Sequence, residues 1–159
     1  MFKLALLEAA ALRAHEQTET GRLIRLTRAI GRDGCLRQPV LVDQASLVIL
    51  DGHHRVRALT ALGYRITPVY LVDYRGPLVQ VRSRRAEIAV DKQTVLERAM
   101  NDCPYPPRTS RHVFAEAPPA RPIDLELLAT LGMILAGAVP AAPRGTRTRR
   151  MLASSPGRE

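Results

Sequence analysis

The chain has 159 residues, of which 46% are apolar and 25% charged, so the composition fits one folded domain and excludes an intrinsically disordered protein. Its formal net charge of +9 is spread along the sequence, which suits nucleotides, phosphate esters or nucleic acid without choosing among them. The two isolated cysteines exclude a disulfide framework and favour a reducing cytoplasm, and we expect neither a signal peptide nor a membrane partner.

Apolar periodicity predicts a mixed succession of strands and helices. In chain order, we expect a strand over residues 1–12, a helix over 20–34, a hairpin with strands 40–42 and 47–50, a helix over 56–63, strands over 66–74 and 77–82, and a helix over 91–101. Thr20 and Asp91 are the predicted N-caps of the first and third helices. Gly63 is the predicted left-handed residue at the C-terminus of the second helix, over residues 56–63. The residues expected to face inward on the last helix are Val95, Leu96, Ala99 and Met100.

Beyond residue 128 the chain is rich in Ala, Gly, Pro and Arg. We therefore predict a folded domain over residues 1–128 and a flexible tail over residues 129–159. No internal repeat is visible, and the phosphate-binding patterns GxGxxG and GxxxxGK[ST] are both missing from the sequence. A standard dinucleotide or Walker fold is not indicated.

The DGHHR turn, residues 51–55, lies between a predicted buried strand and a predicted helix. Backbone N–H groups at a helix N-terminus lack intrahelical partners and attract phosphate. Gly52 allows close approach of a ligand, Arg55 can clamp phosphate oxygens, and Asp51 can hold a divalent cation. Each residue alone also fits ordinary capping, but two adjacent histidines and an arginine exceed what capping requires.

Three elements together resemble the free L-serine kinases of the ParB/sulfiredoxin superfamily. They are VILDGHHR with PVYLVDY at residues 68–74, LRAHEQT at residues 12–18, which resembles the His-Glu element of that family, and YPPRTSRHVF at residues 105–114, which resembles its Pro-Pro signature. The resemblance spans roughly residues 1–128. It implies an α+β fold, with a mixed β-sheet and flanking helices, of the ParB/sulfiredoxin type.

The resemblance also implies an activity: transfer of a phosphoryl group from a nucleotide to the hydroxyl of free L-serine, with Mg²⁺ as cofactor. Some relatives use ADP and others ATP, and the sequence leaves the donor open. Nothing in the sequence defines the oligomeric state or the tail's purpose.

Roles follow from the family pattern. Glu16 is the expected general base, and the expected catalytic set is Glu16, Asp51 and His54, although His53 could serve in place of His54. Asp51 is also expected to lie near the metal. The residues expected around the donor phosphates are Asp51, Gly52, His53, His54 and Arg55. The residues expected to bind the substrate are Tyr105, Thr109, Ser110, Arg111 and His112.

Two positions depart from the family pattern. Tyr105 stands where an aromatic residue, often tryptophan, is expected, and Ala14 precedes His15 where a proline is usual. The departure at Tyr105 bears on the preference for serine, whereas the departure at Ala14 bears on the match to the His-Glu element and leaves Glu16 in place.

Three alternatives compete with the kinase. A ParB-like, nucleotide-dependent DNA-binding regulator would suit the basic charge, but such proteins usually carry a helix-turn-helix domain after this module. A sulfiredoxin-type reductase needs a cysteine in the turn, where this chain has histidine. A zinc site is not favoured either, because no pair has the short spacing of a structural site; the potential ligands are His15, His53, His54, His112, Cys35 and Cys103.

Overall fold

The structure, a computed structural model, describes residues 2–137. Its strands and α-helices in chain order are β1 (Lys3–Glu8), α1 (Thr20–Asp33), β2 (Cys35–Leu36), β3 (Val40–Asp43), β4 (Ile49–Asp51), α2 (His53–Ala61), β5 (Ile66–Val72), β6 (Val79–Ser83), α3 (Lys92–Met100), β7 (Ser110–Phe114), β8 (Ile123–Asp124) and α4 (Leu125–Leu135). The predicted α+β class and mixed sheet are confirmed.

Four strands form the central sheet in the order β1-β5-β3-β4. Strand β1 is antiparallel to β5, β3 is parallel to β5, and β4 returns antiparallel beside β3 as the predicted hairpin. Two further pairs, β2 with β8 and β6 with β7, are antiparallel and lie outside this sheet. The parallel pair requires a crossover between β3 and β5, and α2 lies within it.

Strand β3 shows how the sequence divides the core. All four of its residues are buried, because both faces of the sheet are covered. Leu41 packs with Tyr70 and Tyr105 in one apolar cluster, whereas Val40 and Val42 pack with Val56 of α2 in another. This alternation is the two-residue period of a strand.

One of the two predicted N-caps is confirmed, and one residue predicted to face inward is exposed. Asp91 caps α3 in a capping box with Thr94, as predicted. Thr20, however, is the first residue of α1 rather than its cap, which is Glu19 and makes no side-chain capping bond. Met100 does not face inward: it ends α3 and is 53% exposed.

Helix α2 begins at His53, three residues before the predicted start. Its N-cap is Gly52, whose φ of 108° lies in the left-handed region and which offers no side chain for capping. Gly63 follows the helix with a φ of 89°, so its predicted left-handed conformation is confirmed. The earlier start puts both histidines of the DGHHR turn on the first turn of the helix.

Helix α4 carries regular structure past residue 128, where we predict the tail to begin. Asp124 caps it by accepting from the N–H groups of Glu126 and Leu127, and Leu125 and Leu128 are buried against α1 and α2 residues. Residues 138–159 lie outside the described residues, so the tail stays a prediction. Within residues 2–137, no helix is both long and apolar enough to cross a membrane.

Candidate active site

A cleft of about 530 Å³ opens where the DGHHR turn meets two other segments. These are the His-Glu segment (residues 12–19) and the Pro-Pro loop (residues 104–110), which leads into β7. Lining residues include Glu16, Gly52, His53, Ser110 and His112. The three sequence elements behind the family resemblance therefore meet at one cavity.

Backbone hydrogen bonds fix the His-Glu segment between the other two elements. The Arg13 N–H donates to the carbonyl of Leu47 at 3.0 Å, and the Ile49 N–H donates to the Arg13 carbonyl at 2.9 Å. On the other side, the Tyr105 N–H donates to the backbone carbonyl of His15 at 2.8 Å, and the Gln17 N–H donates to the backbone carbonyl of Tyr105 at 2.9 Å. Pairing on both sides sets where the Glu16 side chain can reach.

The Glu16 carboxylate is held by the Pro-Pro loop. Consecutive N–H groups of Arg108, Thr109 and Ser110 donate to it at 2.9, 3.1 and 2.8 Å, and the Ser110 hydroxyl donates at 2.7 Å. Arg108 adopts a left-handed φ of 60°, a conformation that lets successive N–H groups converge on an anion. The carboxylate is thus fixed at the cleft by four donors.

Three imidazoles lie behind this carboxylate: those of His15 and His53 are buried, and that of His112 is partly buried. The ring centroids of His53 and His112 are 4.6 and 5.3 Å from that of His15. Burial lowers the pKa of His15 and, more strongly, of His53, and it lowers the pKa of His112 to about 3. The cluster is therefore uncharged at neutral pH, and residues 2–137 hold no group of three His, Cys, Asp or Glu side chains placed to bind a metal ion.

The two histidines of the DGHHR turn differ in their partners. His54 is half-buried, and its Nε2 accepts the Glu19 N–H at 3.0 Å, which ties α2 to the start of α1. His53 is buried, and among the described residues its Nε2 has no hydrogen-bond partner. A buried imidazole nitrogen without a partner is costly, and of these two histidines only His53 has an Nε2 that no group within the described residues satisfies.

Arg55 makes internal contacts. Its guanidinium donates to the carbonyls of Gln38 and Pro39 at 2.9 and 2.7 Å and to Asp51 Oδ2 at 2.7 Å. These bonds hold the chain before β3 against the turn. Most of the Arg55 fork is occupied, and Asp51, which lines the cleft, keeps one carboxylate oxygen that is not bonded to Arg55.

No protein-family model matches the chain. An ATP-dependent L-serine kinase of Desulfurococcus mucosus is 31% identical over 121 residues, which cover 70% of this chain and 48% of the relative. In sequence the chain is therefore similar to the free serine kinase family. A ParB-like protein of Sulfolobus acidocaldarius is 33% identical over 90 residues, which cover 57% of this chain and 45% of that protein.

The fold agrees with this family. A solved free serine kinase in complex with AMP superposes with a TM-score of 0.72 at 16% identity, covering 79% of this chain and 93% of that one. The chain spans about half the length of the curated relatives it matches.

The free serine kinase motifs divide into residues that line the cleft and residues that do not. Glu16 and the whole DGHHR turn line it, as do Ser110, Arg111 and His112. Tyr105 instead lies in the core, 1% exposed, with the Arg98 guanidinium over its ring. Thr109 is buried too, and its hydroxyl donates to the Pro106 carbonyl at 2.8 Å. Both residues position the Pro-Pro loop rather than face the cleft.

Sequence reasoning missed several cleft residues. Arg22, Arg84 and Arg108 line the cavity, which gives it cations other than Arg55. Arg108 belongs to the basic position of the Pro-Pro signature and could have been found there. Arg22 and Arg84 come from α1 and from the end of β6, and their approach to the cleft depends on tertiary contacts alone.

Proposed function

We propose that the protein transfers the terminal phosphoryl group of a nucleotide to the hydroxyl of free L-serine, giving O-phospho-L-serine. One observation carries the proposal: a carboxylate fixed by four donors lies in the same basic cleft as the uncapped N-terminus of α2. A general base beside a phosphate-binding turn is what phosphoryl transfer to an alcohol requires. The names of the curated relatives support the same substrate and ATP as a donor.

Glu16 would take the proton of the serine hydroxyl as its oxygen attacks the terminal phosphorus. The bond from that phosphorus to the bridging oxygen of the donor breaks, and the nucleotide leaves with one phosphate fewer. The Glu16 oxygen Oε1 accepts only the Arg108 N–H among the described residues, whereas Oε2 accepts three groups. Oε1 is therefore the better-placed acceptor for the substrate proton.

The donor phosphates would lie on the first turn of α2. The N–H groups there have no side-chain cap, and Gly52 leaves room for close approach. The open Nε2 of His53 would bond an oxygen of the transferred group, which ranks His53 above His54 for that role. Arg22, Arg84 and Arg108 would supply the positive charge that the occupied guanidinium of Arg55 cannot.

A magnesium ion fits this site through Asp51. Protein Mg²⁺ sites in kinases commonly use one or two carboxylates, with the remaining positions filled by phosphate oxygens and water. Asp51 lines the cleft and has one carboxylate oxygen outside its ion pair with Arg55. The bound ion would neutralise charge on the donor phosphates.

The amino acid would be held by the β7 side of the cleft. Arg111 is exposed there and can pair with the substrate carboxylate, next to the Ser110 and His112 positions of the motif. Tyr105 and Thr109 would act through the loop that fixes Glu16. We further propose that the residues that carry out the reaction all lie within residues 1–128 and that the protein works in the reducing cytoplasm.

The test is incubation of the purified protein with L-serine, Mg²⁺ and either ADP or ATP, with phosphoserine detected by mass spectrometry. We expect phosphoserine with at least one donor, together with AMP from ADP or ADP from ATP. Absence of product with both donors would contradict the proposal. Salt-sensitive binding to duplex DNA in the same preparation would then favour the ParB-like alternative.

A further inference from the structure

Ser110 lies between two hydrogen-bond acceptors. His15 Nδ1 is 2.7 Å from the Ile49 carbonyl oxygen, and a carbonyl carries no proton, so the ring proton belongs on Nδ1. In a neutral imidazole, Nε2 is then a bare acceptor, and it lies 2.8 Å from Ser110 Oγ. The same oxygen is 2.7 Å from Glu16 Oε2. A serine hydroxyl has one proton and can serve only one of the two acceptors at a time.

The surroundings keep His15 neutral. The ring is fully buried, and burial lowers its pKa against the opposing effects of the Ile49 carbonyl and the Glu16 charge. The titratable groups that face it are the imidazoles of His53 and His112, together with Glu16. An imidazolium at this position would sit against two other rings and lose all contact with water.

Charged groups near Glu16 are more varied. His54 faces its carboxylate, and Arg108 shares its loop and lines the same cleft. Arg22, Arg84 and Arg111 also line the cleft. None of these side chains reaches the buried Ser110–His15 contact through a hydrogen bond among the described residues.

We propose that the Ser110 hydroxyl is a two-position switch that donates to Glu16 while the carboxylate is ionised and turns to His15 Nε2 once Glu16 has taken the substrate proton. The inference rests on the proposed function, in which Glu16 is the base. Only the hydroxyl rotates, so no bond to carbon or phosphorus is involved. The substrate proton stays on Glu16, and the Ser110 proton stays on Ser110.

The switch makes His15 a positioning residue for the base. While Glu16 is ionised, His15 Nε2 is a buried acceptor without a donor, which carries a free-energy cost. Protonation of Glu16 weakens Oε2 as an acceptor and releases the hydroxyl to satisfy His15. His15 therefore favours the protonated form of Glu16, and Ser110 favours the ionised form.

Two substitutions should move the pH profile of kcat/KM in opposite directions. His15→Asn keeps a donor for the Ile49 carbonyl but has no acceptor that reaches Ser110. We expect its acid limb to shift to lower pH by about 0.5–1 pH unit, the size of one net hydrogen bond. Ser110→Ala removes the donor of the ionised form, and its acid limb should shift to higher pH by a similar amount.

Ser110→Thr keeps a hydroxyl and should bring the acid limb back towards its wild-type position, whatever its effect on the rate. Residual activity after return to pH 7.5 separates titration from unfolding at each acid point. A shift of His15→Asn to higher pH would overturn the proposal, because it would mean that His15 acts as a cation that stabilises the carboxylate.

A second measurement needs neither turnover nor His15→Asn. Long-range ¹H–¹⁵N NMR spectra of ring-labelled histidine should show His15 as the neutral Nδ1–H tautomer at pH 7.5, with an unprotonated Nε2. Glu16→Gln should move that Nε2 signal upfield, because the hydroxyl is released to donate to it. An imidazolium, or an Nε2–H tautomer, would overturn the switch even if the protein proves to phosphorylate serine. Conversely, the expected spectra in a protein that forms no phosphoserine would confirm the His15 tautomer and the Ser110 contacts but refute the proposed function, and with it the catalytic role of the switch.

Discussion

The Pro-Pro loop and the DGHHR turn both line the cleft, and both present successive backbone N–H groups. In the Pro-Pro loop, the N–H groups of Arg108, Thr109 and Ser110 are occupied by the Glu16 carboxylate. In the turn, Gly52 provides no cap for the first N–H groups of α2. One anion site is filled by the chain itself, and the other is left for a ligand.

The arginines of the two segments differ in the opposite way: that of the turn is bonded within the protein, and those of the loop side face the cleft. Arg55 of the turn is bonded to the carbonyls of Gln38 and Pro39 and to Asp51, so it braces the fold. Arg108 and Arg111, from the Pro-Pro loop and the strand after it, line the cleft with no ion pair among the described residues. The difference shows that a motif arginine need not be the residue that meets the phosphate.

The strongest test of the filled site is Glu16→Gln. The amide cannot act as a base, and we expect kcat to fall by about 10²–10⁴-fold while nucleotide still binds at the other site. Single-turnover kinetics and nucleotide titration by calorimetry measure the two effects separately. The matched control is Glu19→Gln, three residues along the same segment and outside the cleft lining, which should keep full activity. Full activity of Glu16→Gln would move the base elsewhere.

The open site is tested by comparing His53→Phe with His54→Phe. His53→Phe removes a buried nitrogen without a partner, so we expect the free energy of unfolding to rise by about 1 kcal/mol while kcat falls by about 10²-fold. His54→Phe removes the acceptor of the Glu19 N–H and should lower stability by about 1 kcal/mol, with a smaller loss of kcat. The reverse order of kcat losses would assign the catalytic role to His54. Urea denaturation and steady-state kinetics provide both quantities.

A smaller effect distinguishes backbone strain from ligand access. Gly52→Ala and Gly63→Ala both place a Cβ at a positive φ, which costs about 1–2 kcal/mol in each case. At Gly52 the new Cβ would also lie 3.0 Å from the Arg55 guanidinium, whereas nothing lies within 4 Å at Gly63. We expect nucleotide affinity to fall about 10-fold in Gly52→Ala only. Equal affinities in the two variants would mean that the turn does not hold the nucleotide.

The sequence alone predicted those strands and helix ends that depend on the pattern of neighbouring residues. Two aliphatic runs on either side of a polar turn identified β3 and β4 as a hairpin, and glycine marked the ends of α1 and α2. Helix α4 was missed because the chain beyond residue 128 is on the whole rich in Ala, Gly, Pro and Arg, which is typical of a tail. Asp124 and the buried Leu125 and Leu128 nevertheless mark α4 as a capped, packed helix. Strands β2 and β8 pair over two residues each, too few for any periodicity to show.

The site was predicted unevenly for a related reason. The DGHHR turn could be found from its own residues, because a strand, a glycine and a helix start are local features. Glu16 could be named only through the family resemblance, since the N–H groups that hold it are 92–94 positions away in the chain. The internal use of Arg55 and the position of Tyr105 in the core depend on tertiary packing, which no local pattern encodes.

Acid should weaken both segments through the imidazoles that support them, and this is the smallest effect. His15 lies beneath the Pro-Pro loop, His53 belongs to the turn, and burial lowers the pKa of both, as it lowers that of His112 to about 3. A folded-state pKa below the unfolded value of 6.5 means that the unfolded chain binds the proton first. The contribution of these imidazoles to the free energy of unfolding is therefore fully present above about pH 6.5 and falls as the pH is lowered, with His112 alone costing about 2 kcal/mol at pH 5.

Urea denaturation between pH 7.5 and 5, above the range of most carboxyl groups, should show this loss of unfolding free energy. In His112→Phe the loss between these two pH values should be smaller by that amount. An unchanged slope in His112→Phe would mean that this imidazole reaches solvent and titrates normally in the folded protein.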